Sequence, residues 1–158
     1  MTELRKIEDA FLLARLNRPL HELHVQQHPH LFKPFDEEAI AVYFAGCLAD
    51  SSYLHIGAFV ADEPAGFVQA QLIEKPENPF AWGYRYVHIH QLNVLETFRG
   101  KGIAGELMNA VHLHAGDQGI AITDLTVWQF NTPARTFYER IGYEYGLLRM
   151  YRRLQDSL

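Results

Sequence analysis

A glycine-rich bend interrupts the chain between Arg99 and Gly105, where it reads Arg-Gly-Lys-Gly-Ile-Ala-Gly. Before the bend runs the apolar stretch Val87-His-Ile-His-Gln-Leu-Asn-Val-Leu95, and after it Glu106-Leu-Met-Asn-Ala-Val111 carries apolar residues at helical spacing. The chain must therefore turn from a strand directly into a helix. Such a turn leaves backbone N–H groups unpaired at the helix N-terminus, where the macrodipole adds partial positive charge, and Arg99 and Lys101 add full charges beside it. Glycine lets the backbone approach a phosphate with no side chain in the way. A plain helix cap needs one glycine, or a Ser or Asp; three glycines and two cations in seven residues exceed that need. The bend predicts a phosphate-bearing ligand, held along Arg99, Gly100, Lys101, Gly102, Ile103 and Ala104.

What flanks the glycines narrows the ligand. A P-loop requires Ser or Thr after Gly-Lys to hold magnesium, and here Gly102 follows Lys101. The dinucleotide fingerprint G-x-G-x-x-G is matched formally by Gly100, Gly102 and Gly105, with Asp124 near the spacing of a ribose-binding acid. That fold needs several further strand–helix units after the turn, whereas 53 residues follow Gly105, and Asp124 begins a strand instead of ending one.

A third class of turn fits better, and here the sequence resembles a known family. The GNAT superfamily of N-acetyltransferases binds acetyl-CoA through Arg/Gln-x-x-Gly-x-Gly/Ala, which Arg99, Gly102 and Ala104 match. Leu92-Asn-Val94 matches the Leu-x-Val signature of the preceding strand. The stretch Asn131-Thr-Pro-Ala-Arg-Thr-Phe-Tyr138-Glu-Arg-Ile-Gly142-Tyr143 is similar to the second signature, Asn-x-x-Ala-x-x-x-Tyr-x-x-x-Gly-Phe/Tyr. The resemblance runs from about Leu54 to the C-terminus; the first fifty residues match loosely, through Leu20-His-Glu-Leu-His24 and His28-Pro-His-Leu-Phe-Lys-Pro34. It implies an α/β chain of the α+β type, in the acyl-CoA N-acyltransferase fold: a mixed, mostly antiparallel central sheet flanked by helices. It also implies one N-acetyltransferase domain over residues 1–158 with its CoA-binding core at about 54–145.

The pattern along the chain predicts the same order of elements. A short first strand at Leu4–Lys6 precedes a helical pattern that Pro19 should break, and His21–Pro34 reads as a loop or broken helix. Asp36 caps a helix through about Leu48. Leu54–Ala61 and Gly66–Ile73 read as a hairpin around Asp62–Ala65, and Tyr86–Leu95 as the next strand of a meander. The helix from Gly102 to about Ala115 buries Leu107, Met108, Val111 and Ala115. A strand at Asp124–Gln129, a helix capped by Asn131 or Thr132 with Pro133 at its first position, and a closing strand at Leu147–Arg153 complete a mixed sheet covered by helices.

Size and charge bound the function. A chain of 158 residues with 48% hydrophobic content suits one domain with a packed core. A net charge of −5 argues against a nucleic-acid partner, which needs a basic surface, and is compatible with a cationic amine. No apolar run of eighteen residues and no signal-peptide pattern is present, and Cys47 stands alone, so a soluble cytoplasmic chain with no membrane partner is expected. Nine histidines include several close pairs, but with one cysteine and no His-Glu-x-x-His set no metal site is expected. Cys47, in an apolar helix, reads as an inert buried thiol.

Acetyl transfer from a thioester to an amine needs a proton acceptor, a donor for the carbonyl oxygen and an acid for the leaving thiolate. His88 and His90, two apart on the strand before the bend, lie on one face by alternation, and histidine titrates in the useful range. The pair resembles that of arylalkylamine N-acetyltransferases; the other reading is that one or both are surface or core histidines on a strand. The resemblance implies that the pantetheine arm pairs with backbone at Leu92, Asn93 and Val94, that a backbone N–H there meets the oxyanion, and that Tyr138 is the acid. Core packing beside Phe137 and Ile141 is the other use for Tyr138. Asn131 would bond the pantetheine amide or cap its helix, and Arg135 would meet a CoA phosphate or be solvated. The expected reaction is direct transfer from acetyl-CoA, as cosubstrate, to a primary amine of a small molecule or peptide in a ternary complex. The alternative is a non-catalytic acyl-CoA-binding sensor or interaction module. Aromatic residues at Phe32, Phe35, Tyr43, Phe44, Phe80, Trp82, Tyr84 and Tyr86 would line an amine pocket or a homodimer interface.

Overall fold

The computed structural model describes residues 1–152 and 154. Within them five strands form one sheet in sequential order: β1 (Thr2–Lys6), β2 (Tyr53–Val60), β3 (Glu63–Lys75), β4 (Tyr84–Val94) and β5 (Thr123–Leu125). The first four are antiparallel, and β5 joins β4 in parallel. Among the described residues four α-helices cover the sheet: α1 (Ala10–Gln27), α2 (Glu37–Ala49), α3 (Ile103–Asp117) and α4 (Thr132–Arg140). The fold is thus mixed α/β with a mostly antiparallel sheet, as the element order implied.

Each face of the sheet has its own core. On one, Val68, Ala70, Val87, Ile89 and Val94 pack under the α3 stripe Ile103, Leu107, Met108, Val111 and Ala115. On the other, Phe67 meets Leu13, Leu16, Ala41 and Phe44 from α1 and α2. The apolar repeat in each helix sets which side it buries. Caps also follow the sequence: the Asp36 carboxylate accepts from the Ala39 N–H at 3.0 Å to start α2, and Asn131 caps α4.

Several expected boundaries move. Pro19 does not break α1, which continues to Gln27 and absorbs part of the expected loop at 21–34. The lost N–H bond is outweighed by burial of Leu13, Ala14 and Leu16, while Asn93 of β4 donates its side-chain amide to the Leu16 carbonyl at 2.7 Å. The β2–β3 turn falls at Ala61 and Asp62, both at positive φ (49° and 66°), so β3 begins at Glu63, earlier than the expected Gly66. Pro64 is tolerated there because the ladder shifts register beside it, at Ala58/Phe59. Strand β5 ends at Leu125, short of Gln129, because its partner pairing covers only Val87, His88 and Ile89. The closing strand expected at Leu147–Arg153 is absent over 147–152, and Arg153 lies outside the described residues. Leu147 and Met150 are about nine-tenths exposed, since a three-residue β5 offers little ladder for another strand to join.

Candidate functional site

Strand β4 carries the site, and its geometry changes along its length. From Val87 to Ile89 it is held by β3 on one side and β5 on the other; on either side of that stretch it keeps only β3. The two parallel strands therefore part toward the bend. The ladder with β3 also shifts: Gln69 faces Gln91 and Ala70 faces Ile89, which leaves His90 with no register position opposite it on β3. Such a bulge re-aims the side chains around it. Val87 and Ile89 point into the α3 core before it, Leu92 and Val94 after it.

Past β4 the chain makes the glycine bend. Gly100 and Gly102 sit at φ +75° and +82°, the left-handed region, and Gly102 opens α3 with no side-chain cap. The first N–H groups of α3 are thus left for another acceptor. A Cβ added at Gly100, Gly102 or Gly105 would meet nothing within 4 Å, so open space lies over the turn. Lys101 places its ammonium 5.2 Å from the Phe98 ring centre, and a hollow of about 410 Å³ beside the turn is lined by Lys101, Ile103 and Glu106 with Met1, Thr2 and Val60. Arg99 folds back, its Nε donating to the Val94 carbonyl at 3.0 Å. Ile103 is buried and Ala104 packs against the core, so both present backbone to the turn. An uncapped helix end, two cations and space for a phosphate chain fit a CoA-type ligand.

On the face of β4 toward α1 and α2 lies a polar chain. His88 and His90 place their rings edge to face, 4.7 Å apart. His88 Nδ1 meets Asp124 Oδ1 of β5 at 2.7 Å, and His90 Nε2 meets Gln71 Oε1 of β3 at 2.9 Å. Gln71 in turn donates to Ser52 Oγ at 3.1 Å. His90 stacks on Tyr53, which stacks on buried His55. Burial, and next the neighbouring His88 ring, hold His90 below the ordinary histidine range, so its neutral form dominates near pH 7. Deeper in, burial drives His55 down to about 4; its Nε2 accepts from Gln69 Nε2 at 3.2 Å. Asn93 also faces this side, and its side chain is committed to α1 through Leu16.

Helix α4 supplies the other expected residues. Asn131 Oδ1 accepts from the Ala134 N–H at 3.3 Å, the helix-capping use of this residue. Arg135 donates to the Gln129 carbonyl and to the Tyr145 hydroxyl, each at 2.9 Å, so it ties the segment before α4 to the segment after it. Tyr138 packs against the α3-side core, between the rings of Phe137 and Tyr143, and burial pushes its hydroxyl up to about 12. No hydrogen bond or ring contact among the described residues joins Tyr138 to either histidine.

Three features of the site do not stand out in the sequence. In the sequence Asp124 matches only the spacing of a ribose acid, yet it is the partner of His88; its register opposite His88 depends on a parallel pairing that no local pattern announces. Gln71 and Gln69, polar residues within the apolar run of β3, were the available signal for a buried polar chain on that face. An aromatic cluster joins the end of α1 to the segment after β5: Trp128 lies 4.6 Å from His28 and 5.8 Å from Phe32, and Phe130 6.1 Å from His24. Phe80 and Trp82, expected at an acceptor pocket or dimer interface, stand 98% and 83% exposed. Cys47 is buried, no group of three or more metal-ligating residues exists among the described residues, and none of their helices is long and apolar enough to cross a membrane.

The model of the acetyltransferase (GNAT) family matches residues 17–143. The chain belongs to the GNAT acetyltransferase family. An uncharacterised N-acetyltransferase of Methanocaldococcus jannaschii is 34% identical over 111 residues, 62% of this chain and 46% of that protein. The chain thus spans less than half the length of that relative. Among solved structures, a tetramutant protein of Bacillus halodurans superposes with a TM-score of 0.89 at 22% identity, covering 98% of this chain and 99% of that one. An aminoglycoside N-acetyltransferase in complex with CoA superposes with a TM-score of 0.72 at 18% identity, over 98% and 96% of the two chains. At these identities the superpositions speak for the fold alone.

Proposed function

We propose that this GNAT protein is an N-acetyltransferase that moves the acetyl group of acetyl-CoA directly to a primary amine of a small molecule or peptide. The observation that carries the reading is the joint end of β4: the strand parts from β5 between a polar histidine face and an uncapped, glycine-opened helix. A structural neighbour with the same fold is described in complex with CoA. In the proposal the binding core lies within residues 54–145. The pyrophosphate sits over Gly100, Lys101, Gly102, Ile103 and Ala104 with Arg99 beside them, and the pantetheine arm runs along Leu92, Asn93 and Val94, where β4 lacks a second strand. Asn131 and Arg135 keep the start of α4 in place, given that both already bond within the chain.

When bound, acetyl-CoA supplies the activated acyl carbon. The residues of the chain manage protons around it. An acceptor amine arrives as ammonium, and His88 or His90 takes its proton, directly or through water; the lowered His90 is neutral and ready near pH 7. Tyr138, at about 12, keeps its proton throughout the working range and serves as a hydrogen-bond donor to a developing thiolate, whose own conjugate acid titrates near 8.5. The larger value means that stabilisation by donation, with the proton retained, is its natural part.

The test is calorimetry with acetyl-CoA, CoA and NAD, followed on the same protein by thiol release against a panel of amines and peptides. The proposal expects acetyl-CoA binding, release with at least one amine, and loss of binding in Arg99→Ala/Gly102→Glu. Binding without release on any acceptor would favour the acyl-CoA sensor, and NAD binding in place of CoA would overturn the assignment of the bend.

A further inference from the structure

Between the two histidines the surroundings are unequal, and Asp124 makes them so. We propose that Asp124 is a positioning residue that fixes His88 in the tautomer protonated at Nδ1, leaving Nε2 as the lone pair that takes the acceptor's proton. This rests on the acetyltransfer reading above.

His88 and Asp124 are opposed in the parallel ladder, the middle of the three pairs that join β4 to β5, so the backbone itself brings them together. Their contact, Nδ1 to Oδ1 at 2.7 Å, is in the range of a charge-assisted bond. A carboxylate has no hydrogen to give, so Nδ1 must be the donor, and a neutral imidazole then carries its lone pair on Nε2. His90 has no such constraint. Its partner Gln71 is an amide, and the next group along, Ser52, is a hydroxyl; both can reverse donor and acceptor roles. The groups that face His88 are Asp124 from β5, His90 on its own strand and Gln71, its register partner on β3. Among these the carboxylate is the one fixed acceptor. Asp124 makes no other hydrogen bond or ion pair among the described residues, and its side chain is about half exposed, a setting in which an ion pair adds little to stability. Its one direct side-chain bond among the described residues is thus the bond that orients His88.

In the proton-transfer step an N–H bond of the acceptor ammonium breaks, its electron pair stays on nitrogen, and a new N–H bond forms at His88 Nε2. The Nδ1–H bond stays directed at Asp124, whose negative charge balances the imidazolium. No further reactant takes part.

The test joins two readouts on the full chain. Histidine-labelled protein without ligand, read by nitrogen NMR, should show His88 protonated at Nδ1 in the wild type and shifted toward Nε2 protonation in Asp124→Asn, whose amide can donate to Nδ1. In transfer assays Asp124→Asn should lower kcat about 10- to 100-fold, with acetyl-CoA affinity unchanged. Asp124→Glu should recover part of the loss, and in a His88→Gln background the Asp124→Asn change should have little further effect. Retention of Nδ1 protonation in Asp124→Asn, or rate losses that multiply independently in the double variant, would overturn the proposal. Absence of transfer with any amine would remove the catalytic role; the ligand-free tautomer would then still show whether Asp124 orients His88, which separates this failure from that of the dyad itself.

Discussion

The two faces of β4 are built from the same strand and ask opposite things of it. Toward α3 the strand presents Val87, Ile89, Leu92 and Val94 to a stripe of Leu, Met and Val, and nothing on that face needs a hydrogen bond. Toward α1 and α2 it presents His88, His90 and Asn93, each with a polar partner on another element. Apolar packing is tolerant of detail and strong in sum; a half-buried polar chain contributes only while every partner is kept. The difference teaches where to look for function. The apolar face holds the sheet to α3, and the polar face spends stability on groups that can move protons.

The comparison breaks most visibly on the apolar side. Leu107 is fully buried under the sheet, and Leu107→Ala should cost about 2–5 kcal/mol of stability by thermal or urea unfolding. A loss well under 1 kcal/mol would mean that α3 is not the main clamp on the sheet.

The polar face should show itself in pH. Because His55 is held neutral in the fold at about 4, while an unfolded histidine titrates near 6.5, the unfolded chain binds the extra proton between those values. Stability should therefore fall as pH drops below about 6.5 and level off below about 4, by on the order of 3 kcal/mol from this group. His24, His90 and His112 shift in the same direction and steepen the fall. His55→Gln, which keeps an acceptor for Gln69, should flatten the slope; an unchanged slope would place the acid sensitivity elsewhere.

Much of this was readable from local pattern, and the rest was not for a definite reason. The glycine bend, the Leu107–Met108–Val111–Ala115 stripe, and the Asp36 and Asn131 caps depend on residues within a turn or two of one another. Pro19 misled because the packing that carries α1 past it comes from α2 and β4, far away in sequence. The same holds at the site. That two histidines share a strand is visible in the sequence; that His90 sits at a register shift, and that β5 delivers Asp124 to His88, are products of strand pairing. The closing strand at Leu147 had the right composition, but a strand also needs a ladder to join.

A smaller effect separates fold from ligand at the bend. Gly102→Ala meets no steric clash but places a Cβ at φ +82°, and should cost about 1–2 kcal/mol. A loss of acetyl-CoA affinity beyond that expected from the fraction unfolded would tie the left-handed turn to the ligand.

The most direct measurement is thiol release from acetyl-CoA, with the amine panel, by wild type and by the double variant His88→Gln/His90→Gln. The account predicts that the double variant melts near the wild-type temperature and binds acetyl-CoA with wild-type affinity, yet transfers at least about 100-fold more slowly. Wild-type rates in the double variant would contradict it, because the polar face of β4 would then have no part in the chemistry.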